Sequence, residues 1–154
     1  MAKIIAGLGT SHVPAIGVAM DTGITDQPYW KPLFAGYGPV RDWLARVKPD
    51  VVILAYNDHC VALPPDTVPT FAIGVGDEFA PADEGWGPRP VPVVKNEADL
   101  AWHLAESAVL DGFDLTIMNQ LKVDHGLTVP LSIACGQPAE WPFKVIPIEV
   151  NVIL

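Results

Sequence analysis

The stretch Val51-Val52-Ile53-Leu54-Ala55-Tyr56 runs without a break into Asn57-Asp58-His59. An apolar run rich in β-branched residues predicts a central strand, buried on both faces and covered by helices on each side. The abrupt change to three polar residues concentrates hydrogen-bonding groups at one strand end. Burying such groups is unfavourable unless they find partners. The junction is therefore either a capped turn or one wall of a site.

Further strands are expected at Phe71-Ala72-Ile73-Gly74-Val75, at Leu115-Thr116-Ile117-Met118 and from Val145 to Val150. Lys3 to Leu8, with glycines at Gly7 and Gly9, reads as a first strand followed by a turn. Between these runs the period changes. Trp30, Leu33, Phe34 and Tyr37, then Val40, Trp43, Leu44 and Val47, recur at helical spacing, and Gly36, Gly38 and Pro39 divide them into two helices. A third helix begins at Asn96 or Glu97 and runs to about Leu110, where Asp111-Gly112 ends it. A short one spans Thr128 to Ala134, with Pro130 near its start. Residues 79–94 hold Pro81, Pro88, Pro90, Pro92, Gly85 and Gly87 and predict an extended loop, either packed on the fold or a partner or forming a pocket wall. The alternation indicates an α/β fold: a largely parallel mixed central sheet flanked by helices, with residues 1–154 as a single domain.

The composition excludes several classes. With a net charge of −9, a pI near 4.6 and no basic stripe, the surface repels phosphate backbones, so no nucleic-acid partner is expected. No apolar run approaches the roughly 18 residues of a membrane span, and the N-terminal apolar stretch is too short for a signal peptide. We expect a cytoplasmic protein. Cys60 and Cys135 form neither a disulfide framework nor a C-x-x-C zinc motif and read as buried thiols. The sequence closes on Val150-Asn151-Val152-Ile153-Leu154, an apolar strand-like run. This ending predicts the N-terminal part of a longer protein, or one completed by a partner.

His12, His59 and His125 each follow a predicted strand, in loops flanked by small or polar residues. Ligands in open α/β sheets bind beyond the carboxyl ends of the strands, and parallel strands would carry these three loops to one edge. Each histidine also has a plainer reading. His12, between Ser11 and Pro14, suits a fixed ligand or a surface turn; His59 suits a ligand or a strand-end turn capped by Asn57 and Asp58. Asp124-His125-Gly126 suits a ligand pair, a dyad or a tight turn. His103 lies within a predicted helix and reads as a surface residue. No phosphate-binding loop, dinucleotide fingerprint, nucleophile elbow or zinc helix is present.

Five motifs, in order, carry a resemblance: Thr10-Ser11-His12-Val13-Pro14-Ala15, Tyr56-Asn57-Asp58-His59, Pro69-Thr70-Phe71-Ala72-Ile73-Gly74, Ala82-Asp83-Glu84-Gly85-Trp86-Gly87-Pro88-Arg89-Pro90-Val91-Pro92 and Val123-Asp124-His125-Gly126. With these, the chain resembles the catalytic β subunits of protocatechuate 4,5-dioxygenases and the gallate dioxygenases, class III extradiol enzymes. The resemblance implies Fe(II)-dependent ring cleavage of a catechol acid by O2, with His12 and His59 as metal ligands and His125 lining the substrate pocket. Asn57 is expected to help orient His59. The third ligand, a carboxylate, and a proton-transfer histidine are expected beyond Leu154; Glu149 does not match the ligand motif. A small helical α subunit and an oligomeric assembly are the implied partners. Two competing readings are a non-catalytic fragment or scaffold that needs a partner chain, and a zinc hydrolase built on the same histidines.

Overall fold

The computed structural model describes residues 2–151. Five helices are found among them: α1 (Pro14–Asp21), α2 (Lys31–Gly36), α3 (Gly38–Val47), α4 (Ala98–Leu110) and α5 (His125–Cys135). The main sheet contains β1 (Val51–Asp58), β2 (Phe71–Gly74), β5 (Leu115–Met118) and β7 (Lys144–Asn151), in the order β1-β7-β2-β5. Pairs β1–β7 and β2–β5 are parallel, whereas β2–β7 is antiparallel. A smaller sheet joins β3 (Glu78–Pro81), β4 (Val94–Lys95) and β6 (Lys122–Val123) in the order β4-β3-β6. The fold is thus α/β, with a mixed sheet of mostly parallel strands flanked by helices.

The centre of that sheet is β7, paired on both sides. The expectation of a central β1 is corrected: among the described residues β1 pairs with β7 alone, and Ile53 is 50% exposed. An unbroken apolar run specifies a strand but not the number of its neighbours. Alternation along β7 explains the layers. Val145 packs with Leu127 and Leu131 of α5, while the next residue, Ile146, packs with Ala101 and Ala105 of α4. Successive strand residues face opposite sides, so two adjacent apolar residues serve two helical layers.

Four further expectations change. Lys3 to Leu8 forms no strand; Ile4 is 91% and Ile5 55% exposed, and residues 2–13 run without regular structure. Apolar content makes a strand only where a sheet edge accepts its hydrogen bonds. Helix α1 was not expected, although Pro14 sits in its first turn, where a missing N–H is harmless, and Ile16 and Ala19 form its buried side. Helix α5 starts at His125 rather than Thr128, because the Asp124 side chain accepts from the Gly126 N–H and caps it; Pro130 is therefore interior. The stretch 79–94 is not wholly loop, since most of β3 and the start of β4 fall within it. Residues 152–154, which complete the apolar terminal run, lie outside the described residues.

Helix α5 positions the site. It is buried from His125 to Ala134 and touches α1, α3 and β1. Full burial of a side chain such as Leu127 or Ile133, each 0% exposed, stabilises by about 1.5–3 kcal/mol. Its first turn lies against the end of β1: a Cβ on Gly126 would stand 2.5 Å from the Asn57 carbonyl oxygen and 2.8 Å from the Tyr56 ring. Only glycine admits that approach, and it sets His125 beside His59. No described helix is long and apolar enough to cross a membrane.

Candidate metal centre

Three imidazoles meet where β1 ends, α5 begins and residues 2–13 pass in front of α1. The ring centroids of His59 and His125 are 4.0 Å apart, those of His12 and His59 5.1 Å, and those of His12 and His125 6.0 Å. His12 and His59 are half-buried and His125 is buried. His103 is exposed on α4.

Two of the rings are gripped identically, each by a carboxylate distant in sequence. Asp124 Oδ2 accepts from the His59 backbone N–H at 2.8 Å and meets His59 Nδ1 at 2.8 Å. Its Oδ1 accepts from the Gly126 N–H at 2.7 Å. Glu84 Oε1 accepts from the His125 backbone N–H at 2.8 Å, and Oε2 meets His125 Nδ1 at 2.5 Å. Carboxylates that accept from backbone N–H groups make Nδ1–H the donor in both rings. Each Nε2 then keeps its lone pair, the form a metal or an acidic hydroxyl needs. The adjacent pair Asp124-His125 is thus not a dyad: Asp124 serves His59, and His125 takes its carboxylate from another loop.

His12 is held differently. Among the described residues no hydrogen bond reaches its ring. Its pKa lies below the usual 6.5, first because of burial and then because His59 and His125 are near, with Asp124 opposing. Neutral imidazole is the ligating form. The segment carrying it is tied by Thr10 Oγ1, 2.6 Å from the Tyr37 hydroxyl, and by the start of α1.

Ligand atoms of His59, Asp124 and His125 fall within 4.8 Å of one another, a group able to hold a cation. Both Asp124 oxygens are already engaged, so Asp124 is the orienting partner and the imidazoles are the better donors. Such a nitrogen-rich set suits a divalent transition metal. Asn57 does not orient His59 through Nδ1, which Asp124 occupies; among the described residues its half-buried side chain makes no hydrogen bond. Asp58 serves the turn, its oxygens accepting from the N–H groups of Val61, Ala62 and Leu63 at 3.0–3.1 Å.

The loop carrying Glu84 is rigidly built. Asp83 Oδ1 accepts from Gly85 and Gly87 N–H groups at 2.9 and 2.8 Å, which lowers the Asp83 pKa. Arg89 forms a two-point pair with Asp21 at 2.9 and 2.8 Å and reaches Thr128 and Ser132 of α5 at 3.2 and 3.3 Å. A cavity of about 220 Å³ lies between this loop, α1 and His125, lined by Val18, Trp86, Pro88 and Pro90 among others. The loop packs on the fold and also lines this cavity. Neither Glu84 nor Arg89 stands out as a site residue in the sequence alone. Two acids and an arginine within a Gly- and Pro-locked loop were the available clue.

Glu149, on the central strand, is fully buried and accepts from the Tyr56 hydroxyl at 2.6 Å. Burial raises its pKa to about 7, Tyr56 opposes, and the nearby Asp58 and Asp124 add to the rise. The thiols differ from expectation. Cys60 is exposed, at a positive φ of 63° that turns the chain outward after His59; Cys135 is half-buried, and burial raises its pKa to about 11.

A family described as the catalytic LigB subunit of aromatic ring-opening dioxygenase matches residues 6–154. A gallate dioxygenase of Pseudomonas putida is 35% identical over 72 residues, 47% of this chain and 21% of that protein. A 2,3-dihydroxyphenylpropionate/2,3-dihydroxicinnamic acid 1,2-dioxygenase of Klebsiella pneumoniae is 30% identical over 146 residues, covering 92% of this chain and 42% of its own length. A protein of the same name from a Mycobacterium species is 35% identical over 118 residues, 73% of this chain and 34% of that one. The chain spans less than half the length of each of these relatives.

Proposed function

The chain belongs to the family of the catalytic LigB subunit of aromatic ring-opening dioxygenases, and from that premise we propose that it performs Fe(II)-dependent extradiol cleavage of a catechol acid, such as protocatechuate or gallate, with O2. The observation that carries this reading is the meeting of three imidazoles from separate segments, with centroids 4.0–6.0 Å apart, two of them locked by carboxylates with Nε2 as the bare nitrogen.

In this proposal His12 and His59 hold the iron, and a carboxylate from outside these 154 residues completes a two-histidine, one-carboxylate set. A bound Fe(II) would supply Lewis acidity toward the diol and electron transfer toward O2. The protein's own residues do the rest. Asp124 fixes the His59 ring and its tautomer. His125, with Nδ1–H given to Glu84, presents Nε2 as an acceptor for a diol hydroxyl proton. The Asn57 amide, without a hydrogen bond among the described residues, remains available to substrate. The mostly apolar cavity beside His125 shelters the ring from water. A small helical partner subunit and an oligomeric assembly belong to the same proposal; the Trp86 indole, 73% exposed beside the cavity, is a surface such a partner would cover. A cytoplasmic location, where such substrates and reducing conditions meet, completes it.

The test is oxygen uptake and appearance of ring-opened product after anaerobic loading with Fe(II) of a preparation that includes the segment supplying the carboxylate, using protocatechuate, gallate and 2,3-dihydroxyphenylpropionate in turn. His59→Ala should remove iron binding, measured separately by equilibrium titration. Normal iron occupancy in that variant would sink the ligand assignment. Bound iron without oxygen uptake on any of the diols would sink the reaction and leave a metal-binding scaffold. Hydrolysis supported by zinc but not iron would favour a different chemistry.

A further inference from the structure

Glu84 stands at the tip of a loop that has no reason of its own to enter the site. Everything around it fixes its position. Ala82 N–H donates to the Val123 carbonyl at 2.9 Å, Asp83 closes the turn over Gly85 and Gly87, and Arg89 pins the far side to α1 and α5. The product of this scaffolding is a single contact: both Glu84 oxygens on His125, one on its backbone N–H and one on Nδ1. The contact is protected from solvent, each side chain being 11% exposed.

We propose that Glu84 is a positioning residue that selects the Nδ1–H tautomer of His125 and thereby turns a basic Nε2 toward the substrate. Donor and acceptor counts decide the tautomer. The His125 backbone N–H can only donate, so one oxygen of Glu84 must accept. A carboxylate has a second acceptor for Nδ1–H. An amide does not: with its oxygen on the backbone N–H, its NH2 faces Nδ1 and requires Nδ1 to accept. Glu84→Gln, nearly identical in shape, therefore forces His125 into the Nε2–H tautomer and removes the acceptor from the substrate side. A residue that merely braced the loop would tolerate this change.

The effect on turnover rests on the ring-cleavage reading; the tautomer does not. The experiment is imidazole nitrogen NMR on the intact metal-free chain, labelled at histidine, at mildly alkaline pH, with His125→Asn used to assign the signal. The wild type should show His125 protonated at Nδ1, and Glu84→Gln should show it protonated at Nε2. A wild-type His125 found as the Nε2–H tautomer, or an unchanged tautomer in a folded Glu84→Gln protein, overturns the proposal. Should Glu84→Gln not fold, the wild-type spectrum alone decides. In an active preparation Glu84→Gln should lower kcat roughly 10- to 100-fold, the usual effect of losing such a partner, with KM little changed. Inactivity of the wild type toward every diol, with the expected tautomers present, would overturn the ring-cleavage reading and leave the role of Glu84 intact.

Discussion

His59 and His12 offer the same imidazole to the same space, from regions built in opposite ways. His59 ends a strand paired along its length with β7 and has both its backbone and its ring on one buried carboxylate. His12 lies in an exposed segment without regular structure, and burial and its two neighbouring histidines, rather than any hydrogen bond among the described residues, lower its pKa. The difference teaches that one donor is part of the folding core and the other is applied to it. Changes on the framework side should therefore alter stability and metal affinity together, and changes on the His12 side should alter affinity alone.

The hardest way to break this contrast is to remove Asp124, which is 1% exposed. Asp124→Ala strands the N–H groups of His59 and Gly126 and the Nδ1–H of His59. The Gly126 N–H is buried and the two His59 donors only half-buried, so at about 1–3 kcal/mol for a fully buried unsatisfied donor a loss of roughly 3–4 kcal/mol is expected, with metal binding lost as well. His12→Ala should abolish metal binding with stability within about 0.5 kcal/mol of wild type. Denaturant unfolding paired with iron titration reads both. Equal destabilisation by the two variants would erase the distinction.

Arg89 sharpens the comparison on the framework side. With its partner Asp21 it joins α1, α5 and the Glu84 loop, and both side chains are largely buried. Removing one member of such a pair leaves an uncompensated charge, so Arg89→Ala should destabilise by roughly 3 kcal/mol. It should also loosen the Glu84 grip on His125 and leave His12 unaffected, as imidazole nitrogen shifts would show.

These partnerships mark where the sequence stopped being legible. Strand ends and the α2–α3 division followed from local periodicity. His12, His59 and His125 do meet, but only His59 ends a strand of the main sheet, since His12 follows an irregular segment and His125 follows β6 of the smaller sheet. Pairing did not follow from periodicity. Asp124 lies beside His125 in sequence yet binds His59, 65 positions away, and Glu84 is 41 positions from His125. No periodicity encodes a contact between two loops. The Lys3–Leu8 strand failed for a related reason: apolar composition was read without knowing whether a sheet edge would receive it.

Glu149 gives a pH-dependent effect of comparable size. Its pKa is about 7 in the fold against a usual 4.5, so between these values the folded state holds a proton that the unfolded chain has released. The associated stability is fully present below pH 4.5, falls as pH rises, and is lost above about 7. Where the two states differ by one whole proton, the slope is about 1.4 kcal/mol per pH unit. Glu149→Gln keeps an acceptor for the Tyr56 hydroxyl and should flatten this part of the profile. A wild-type unfolding free energy that rises across the same window would refute the assignment.

The smallest expected effect tests the His12 side most directly. Thr10 Oγ1 and the Tyr37 hydroxyl, 2.6 Å apart, form the polar tie between residues 2–13 and the helical layer. Tyr37→Phe removes one hydroxyl and keeps the ring, so global stability should change by about 0.5–1 kcal/mol at most. If that tie holds the segment in place, amide exchange at residues 10–13 should accelerate and iron affinity should fall several-fold, while the His59 and His125 nitrogen shifts stay unchanged. Unchanged exchange and affinity would assign the task to Pro14 and the first turn of α1 instead. His12 would then be fixed by the helix that follows it, and the contrast with His59 would lie in burial alone rather than in how each ring is held.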